Sequence, residues 1–284
     1  MKLKVNGTAL IFTAALLYST AGLVMKFVPW NGLAVNGSRT IIALLVVGLY
    51  MTATHQPIRI NRWIFLGSLC YASCTTLFAL ANKLTTAANT IVLQFTAPVL
   101  VILFSALFFR RKVTKLDLAA CALVFGGVSF FFLDSLEMGG GLGNILALLS
   151  GVSYAGVFLM NDFPESSAIS SVFWGDMISA VVGLPFLMQE TEFTVSILAS
   201  LLFLGVFQVG VSYVCLCEGL KTTPPIRASL ITGIEPILNP ILVAVFYGET
   251  VGPMALLGAA VVVVAVIAYN ILKLQEKIPI KEKV

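Results

Sequence analysis

The chain has 284 residues, of which 59% are hydrophobic and only 11% are charged, with a net charge of +4 at neutral pH. A soluble globular domain carries about 25% charged residues, so this composition excludes an ordinary soluble protein. Long apolar stretches recur from end to end, which is typical of a helical membrane protein with many spans.

Ten apolar segments follow one another with short connections, and each is near the ~20 residues that cross a bilayer. They cover residues 7–28, 33–53, 63–82, 86–109, 115–134, 142–161, 167–187, 194–216, 225–247 and 253–273. The first segment imitates a secretory signal peptide, because two lysines precede an apolar core that ends in small residues. We interpret it as a retained helix, since the internal repeat described below requires it.

The basic residues orient these segments, because cytoplasmic loops carry an excess of Lys and Arg. With the N-terminus in the cytoplasm, 14 of the 17 Lys and Arg residues fall on the cytoplasmic side, Lys26 and Lys83 fall outside, and Arg39 lies within the second segment. The 14 are Lys2, Lys4, Arg59, Arg62, Arg110, Arg111, Lys112, Lys115, Lys221, Arg227, Lys273, Lys277, Lys281 and Lys283. The outer loops are acidic instead, with Asp134, Glu137, Glu190, Glu192 and Glu249. We therefore expect a multi-pass protein of the cell (inner) membrane, in contact with the lipid bilayer, with both termini cytoplasmic and with no nucleic-acid partner.

The two halves of the chain resemble each other when one is shifted by 136 to 138 residues. The matched pairs include Gly7 with Gly143, Tyr18 with Tyr154, Phe27 with Phe163, Lys83 with Lys221, Thr85 with Thr223 and Pro98 with Pro236. Each half holds five segments, so the second half enters the membrane upside down. Inverted repeats are a hallmark of secondary transporters, which place the substrate at the repeat interface. We predict two domains, residues 1–136 and 137–284.

Two stretches carry a family resemblance, "APVLVILFSALFFRRKVTKLDLAACALVFGG" from residue 97 and "EPILNPILVAVFYGETVGPMALLGAAVVV" from residue 235. Together with the G-x10-Y start of each half, they resemble the EamA-type branch of the drug/metabolite transporter superfamily, over essentially the whole chain. Arg111 departs from the pattern, since that family often has Glu there. The resemblance implies an all-α integral membrane fold of ten transmembrane helices, arranged as two inverted five-helix repeats around a central cavity that opens alternately to each side.

The same resemblance implies secondary active transport of a small organic metabolite such as an amino acid, a nucleoside or a related compound, with export as the direction. An uptake carrier or exchanger for an anionic or zwitterionic metabolite is the alternative, ahead of a channel or a non-transporting scaffold. No Walker A motif is present, so ATP is not expected to drive transport. The lone His55 lies in a polar loop and no nucleophile with its base is visible, so we expect neither an enzyme nor a metal or cofactor site.

Glu235 is the most costly residue of the ninth segment. Ten Leu, Ile, Val or Phe residues in 228–246 favour insertion by about 3 to 6 kcal/mol in total. One central carboxylate costs about 2.5 to 3.5 kcal/mol. Thr232, Glu235 and Asn239 are spaced to share one helical face. Two interpretations stay open: this face lines the substrate path and Glu235 binds a cationic group or a proton, or Glu235 pairs with a buried partner such as Arg39.

Other polar residues within the segments are weaker candidates for substrate or coupling-ion contact. Arg39 either binds a substrate carboxylate, pairs with an acid or reaches the outer interface. Trp174 with Asp176 can engage a cation or a ring, although Trp also favours the membrane interface. Glu218 is expected to reach the interface or pair with Lys221. The uncharged candidates are Tyr18, Tyr71, Thr75, Gln94, Tyr154, Gln208 and Ser212, for each of which helix packing is the alternative. Pro98, Pro236 and Pro240 are candidate hinges.

Small residues in the fifth and tenth segments, "GG" at 126–127 and "GAAVVVVA" at 258–265, indicate close helix packing within one chain or between protomers. We expect a monomer or a homodimer. The five cysteines all lie within apolar segments, and we interpret them as buried, reduced side chains.

Overall fold

The computed structural model describes residues 6–25, 27–85, 87–132, 141–247 and 253–275, which are helical with short connections. The α-helices are α1 Gly7–Tyr18, α2 Ala21–Met25, α3 Gly32–Ala53, α4 Arg62–Leu84, α5 Ala87–Gln94, α6 Ala97–Phe109, α7 Lys115–Phe132, α8 Gly141–Leu159, α9 Ala168–Leu187, α10 Val195–Phe203, α11 Ser212–Leu220, α12 Pro225–Ile231, α13 Glu235–Tyr247 and α14 Pro253–Gln275. Lys2, Lys4, Lys26, Asp134, Glu137, Glu249, Lys277, Lys281 and Lys283, which entered the orientation argument, lie outside the described residues.

The predicted all-α fold with ten membrane-spanning segments is confirmed. Six spans in the described part of the chain are long and apolar enough by themselves to cross a membrane: Gly7–Met25, Gly32–Ala53, Arg62–Leu84, Gly141–Asp162, Ala168–Leu187 and Val195–Leu220. The fourth and ninth spans are each divided into two shorter helices, and α7 and α14 complete the ten. Large apolar side chains such as Leu49, Leu107 and Val195 are exposed on the outside of the bundle, as a lipid-facing surface requires.

Asparagine side chains set the start of three early spans. The side-chain oxygens of Asn6, Asn31 and Asn61 accept backbone N–H groups two or three residues ahead, at 3.0, 2.9 and 2.8 Å. Each bond satisfies one of the donors that a helix leaves unpaired in its first turn. These polar caps explain why the observed helix starts lie within one residue of the sequence prediction.

The contacts between the two halves follow a pseudo-two-fold symmetry. Helices α3 and α9, which correspond in the repeat, pack against each other, and so do α7 and α14. The contact of α4 with α8 has its counterpart in the contact of α11 with α1. The five-helix halves are therefore interlocked repeats, and their interface runs through the centre of the bundle.

The fourth and ninth spans were expected to be continuous, proline-kinked helices, but each of them is broken into two shorter helices. Helix α5 ends at Gln94 and α6 begins at Ala97, while α12 and α13 are separated by a 3₁₀ turn at Thr232–Ile234. Pro98 and Pro236 thus lie in the first turn of the second half-helix, where a missing N–H costs little. Pro240 lies inside α13, and its side chain is outside the described set. Paired discontinuous helices of this kind mark the substrate region of inverted-repeat transporters.

The crossing of α3 and α9 depends on two glycines. A Cβ atom on Gly37 would lie 2.7 Å from the Cα atom of Gly183, which is backbone and cannot turn away. We expect Gly37→Ala to lower the free energy of unfolding by about 1–3 kcal/mol, seen as a lower melting temperature of the purified protein. Gly126→Ala is the matched control, because a Cβ there has nothing within 4 Å and the change only improves helix propensity. Equal melting temperatures for the two variants would contradict this packing.

The "GG" pair at 126–127 is used within the chain. A Cβ on Gly127 would lie 2.7 Å from the Val262 side chain and 3.0 Å from the Gly258 carbonyl oxygen, both on α14. These small residues therefore let α7 and α14 approach closely. The monomer or homodimer expectation stays a prediction.

Candidate functional site

A cavity lies at the centre of the bundle, where the two halves meet. It is lined by Tyr18, Arg39, Cys74, Thr75, Phe78, Gln94, Tyr154, Gln208, Val209, Tyr213 and Glu235. These side chains come from the first, second, third, fourth, sixth, eighth and ninth spans, so both repeats contribute to the wall. Seven of the predicted candidates are brought together here: Tyr18, Arg39, Thr75, Gln94, Tyr154, Gln208 and Glu235.

The cavity is contracted in this conformation. About 370 Å³ of space lies between the lining side chains, but the centre of a water-sized molecule can occupy only about 30 Å³ of it. A space of that size holds water and not an organic molecule. The walls must therefore move before a metabolite can enter.

Arg39 is buried in the wall of this cavity and has only neutral partners. Its Nε and Nη2 atoms donate to the Asn36 side-chain oxygen at 3.1 and 2.9 Å, and Nη2 also donates to the Thr75 carbonyl at 3.2 Å. Its Nη1 atom donates to the Gln208 side-chain oxygen at 3.2 Å. Arg39 is only 2% exposed, which excludes the interpretation that it reaches the outer interface. Among the described residues no carboxylate lies within 4.0 Å of it.

Glu235 begins α13 and faces the same cavity. Its side chain is half-buried, and it makes neither a hydrogen bond nor an ion pair with any residue in the described ranges. Its place in the first turn is favourable for a negative charge, because the helix dipole is positive there. The expected alternative of a Glu235–Arg39 ion pair is therefore not formed in this conformation. One cation and one carboxylate face a common space, and each lacks an opposite charge.

Aromatic rings form the rest of the wall. The Tyr213 ring meets the Tyr18 ring at 5.0 Å and the Tyr71 ring at 4.6 Å between centroids. The Tyr18 hydroxyl is buried and has no hydrogen-bond partner among the described residues. These rings give the cavity apolar faces with polar tips, the usual lining of a small-molecule site.

Tyr71 and Asp176 lie behind this wall and bond to each other. The Tyr71 hydroxyl donates to Asp176 Oδ1 at 2.6 Å, and both residues are fully buried. Asp176 Oδ2 has no hydrogen-bond partner in the described part of the chain. The Tyr71 ring packs against the Tyr213 ring on the side away from the cavity, and neither Tyr71 nor Asp176 lines the cavity.

We expect Tyr71→Phe to destabilise the protein by about 1–3 kcal/mol, because it leaves both Asp176 oxygens buried without a donor. Asp176→Asn should cost less, since the amide oxygen can still accept the Tyr71 hydroxyl. Melting temperatures of the two purified variants compare the costs. A lower melting temperature for Asp176→Asn than for Tyr71→Phe would contradict this assignment.

Several predicted residues do not line the central cavity. Glu235 and Asn239 lie one turn apart on α13, and Thr232 lies in the 3₁₀ turn that precedes this helix. The Thr232 hydroxyl donates to the Ser229 carbonyl at 2.9 Å, and Asn239 packs against Gly22 of α2. Of the three residues, only Glu235 lines the cavity, and the common polar face stays a prediction.

The eighth span contains a segment that is not α-helical. Residues Leu204–Val211 are π-helical, with hydrogen bonds one residue longer than in an α-helix. Gln208 and Val209 consequently face the cavity, while the Ser212 hydroxyl donates to the Gln208 and Val209 carbonyls. Ser212, a predicted candidate, therefore does not line the cavity in the described part of the chain.

Trp174 and Asp176 do not line the central cavity. The Trp174 Nε1 atom donates to the Arg59 carbonyl at 3.0 Å, which places the ring at the end of the bundle. That position is typical of Trp at a membrane interface. Glu218 also has a peripheral role, and its predicted pairing with Lys221 is confirmed at 2.6 Å.

Four cavity residues were not predicted from the sequence: Cys74, Phe78, Val209 and Tyr213. Phe78 follows Tyr71 and Thr75 at helical spacing, so extending that face by one turn would have found it. Tyr213 had no comparable signal, because only the π-helical segment turns it inward. Cys74 follows the general pattern of buried, free cysteines but also touches the cavity.

A second, wider cavity of about 890 Å³ opens at one end of the bundle, which we call the basic end. Its lining includes Arg111, Lys112, Lys221, Arg227 and Lys273, together with Asp117 and Asp162. Arg111, the departure from the family pattern, bonds Asp162 of the other half at 2.6 Å. At the opposite end, hydrogen bonds join loops of the two halves. The Trp30 ring nitrogen donates to the Glu192 carbonyl, and the Asn31 side-chain amide donates to the Glu190 carboxylate. Within the described residues, a wide cavity thus opens at the basic end, and loop contacts join the two halves at the other end.

A helical bundle with internal two-fold symmetry, two broken spans and charged groups around a central cavity defines a membrane transporter of the inverted-repeat kind. The model of the EamA-like transporter family matches residues 5–133 and 141–271. The chain belongs to this family, whose two matches correspond to the two repeats. It is a multi-pass membrane protein that transports small molecules.

Two further comparisons agree with the family. The protein named "Uncharacterized transporter YwfM" of Bacillus subtilis (strain 168) is 25% identical, and the match covers 92% of each chain. A crystal structure of a protein that is 17% identical superposes with a TM-score of 0.81, over 96% of this chain and 99% of its own. The second likeness concerns the fold alone.

Proposed function

We propose that the protein is a secondary active transporter that exports a small zwitterionic metabolite, such as an amino acid, by alternating access without ATP. The substrate carboxylate binds Arg39 and its ammonium group binds Glu235. The observation that carries this proposal is that these two opposite charges line one central cavity without pairing with each other or with another charged residue in the described ranges.

Electrostatics favour a ligand with both charges. A buried cation without a counter-ion costs several kcal/mol, even when hydrogen bonds offset part of that cost. A ligand carboxylate adds the missing charge, and its hydrogen bond to the Arg39 guanidinium is charge-assisted. The ammonium group then removes the same penalty at Glu235. A purely anionic or cationic substrate would leave one of the two charges without a partner.

The two cavities support alternating access. The central cavity is contracted, the wider cavity opens at the basic end, and described loops of the two halves are bonded to each other at the opposite end. The half-helices α5–α6 and α12–α13 meet the cavity at their breaks, where a change of angle needs few residues to move. By the excess of Lys and Arg, the basic end faces the cytoplasm. Export as the direction rests on the family resemblance.

Proton exchange is the proposed source of energy. Glu235 binds either a proton or the substrate ammonium group. A proton that arrives from the outside therefore displaces the substrate there, and the empty carrier then takes this proton to the inside. The other titratable groups on the described cavity wall are Arg39, Cys74 and the tyrosines. Glu235 is the one carboxylate on this described wall.

Counterflow in liposomes tests the proposed function. Vesicles with the purified protein are loaded with one unlabelled L-amino acid at a time and diluted into the same compound with a radiolabel. We expect transient accumulation of label for at least one zwitterion, and none for the matching amine or the matching amino-acid ester. Downhill leakage without counterflow would indicate a channel, and counterflow of the amine or ester alone would exclude the zwitterion.

A further inference from the structure

We infer that the Gln208 amide oxygen occupies the position on Arg39 that the substrate carboxylate takes, so that residue 208 decides whether the carrier accepts carboxylate-bearing substrates. This inference rests on the proposed function, in which Arg39 binds a carboxylate. It adds a specificity-determining residue on the opposite repeat.

The Arg39 guanidinium has one fixed side and one exchangeable side. On the fixed side, Nε and Nη2 bind Asn36, which lies on the same helix, and Nη2 also binds the Thr75 backbone carbonyl. On the other side, Nη1 is bonded to the Gln208 amide oxygen at 3.2 Å and lies 4.0 Å from the Met25 sulfur. A carboxylate is a stronger acceptor than either of these neutral groups. Substrate therefore gains most by replacing the partners of Nη1.

Gln208 is free to leave this position. It lines the cavity, and its Nε2 group makes no hydrogen bond to any residue that the structure describes. Turning its side chain away breaks one neutral hydrogen bond, which the substrate carboxylate replaces with a charge-assisted one.

The backbone holds Gln208 opposite Arg39 in an unusual way. Residues Leu204–Val211 form a π-helix, an element that is rare and frequent at functional sites. Gly205 and Gly210 let this segment lie directly on α3, because a Cβ on Gly205 would be 2.9 Å from the Arg39 carbonyl oxygen and a Cβ on Gly210 would be 2.8 Å from the Val46 side chain. Residue 208 is therefore positioned by close backbone contact with the helix that carries Arg39.

The first arm of the test uses protein without ligand. We compare the melting temperatures of the wild type, Gln208→Glu and the double variant Arg39→Met/Gln208→Glu. If the position on Arg39 suits a carboxylate, Gln208→Glu melts higher than the wild type, and the double variant loses that gain. A melting temperature of Gln208→Glu at or below that of the wild type would overturn the inference.

The second arm measures binding by ligand-induced shifts in melting temperature, with L-amino acids and their carboxamides as probes. We expect Gln208→Glu to bind the amino acids at least about tenfold more weakly, since its own carboxylate occupies Arg39. Gln208→Met removes the competitor, so it should bind them at least as tightly as the wild type. If Gln208 is only a hydrogen-bond partner of Arg39 and does not compete with substrate, Gln208→Met binds amino acids more weakly than the wild type and Gln208→Glu binds them normally. Either result would overturn the inference.

The two arms separate this inference from the proposed function. A wild type that responds to no amino acid contradicts the proposed substrate class, while the ligand-free comparison still decides whether residue 208 holds a carboxylate position. If Gln208→Glu cannot be purified, the binding of Gln208→Met decides alone.

Discussion

Replacing Glu235 by Gln is expected to uncouple transport from protons. In the wild type, acidification protonates Glu235 and displaces the substrate ammonium group, so the affinity for substrate falls as the pH falls. Glutamine cannot exchange a proton, so Glu235→Gln should show pH-independent binding and no accumulation driven by a pH gradient. Loss of the ammonium–carboxylate contact should also weaken binding by about 1.5–3 kcal/mol, or about 10- to 150-fold. Flux in proteoliposomes with an imposed pH gradient measures the effect.

Two controls frame this experiment. Glu235→Asp keeps the carboxylate and should retain pH dependence, although the shorter side chain alters affinity. Glu218→Gln removes a carboxylate that pairs with Lys221 at the end of α11, so its transport should resemble that of the wild type. Unchanged flux and unchanged pH dependence in Glu235→Gln would refute its coupling role.

Replacing Arg39 is expected to abolish recognition of the substrate carboxylate. Arg39→Gln removes the cation, and Arg39→Lys keeps the charge but loses the planar guanidinium that Asn36 and Thr75 hold in place. We expect both variants to bind substrate about 10- to 150-fold more weakly, corresponding to about 1.5–3 kcal/mol for a charge-assisted contact. Because a buried cation without a counter-ion destabilises the fold, Arg39→Gln should retain or gain thermal stability.

Binding assays on purified protein measure the effect of Arg39, and Arg62→Gln provides the control. Arg62 is exposed at the start of α4, with its guanidinium over the Trp63 ring at 4.9 Å, so its removal should leave binding intact. Wild-type affinity in Arg39→Lys would mean that Arg39 contributes charge without orienting the substrate. Wild-type affinity in Arg39→Gln would exclude it from the site.

The sequence predicted the bundle well because the bilayer imposes simple rules. A span needs a certain apolar length, and polar caps such as Asn31 and Asn61 fix where helices begin. The seventh span was expected at 167–187 and is observed at Ala168–Leu187. The repeat followed from matched Tyr, Lys and Pro residues, which are scarce enough in an apolar chain to align the two halves.

The site was predicted in part. Arg39 and Glu235 were identifiable because an ionisable residue within the membrane is costly wherever it lies. Which neighbours join them depends on helix register, and the register changes at a 3₁₀ turn and in a π-helical segment without an evident signal in the sequence. Thr232 and Asn239 were expected beside Glu235 although neither lines the cavity, and Tyr213 was not considered although it does. Proline positions indicated a disturbance near residue 236 but not a complete break.

The central claim, that one cavity serves both sides of the membrane in turn, is open to a direct test through Cys74. This cysteine lines the central cavity and is 2% exposed, so it reacts only when the walls open. With Cys70, Cys121, Cys215 and Cys217 replaced by Ala, a membrane-impermeant thiol reagent is applied to right-side-out and to inside-out vesicles, with and without substrate. Alternating access predicts modification of Cys74 from both sides and protection by substrate in both cases. Modification from one side alone, or from both sides without protection, would contradict it.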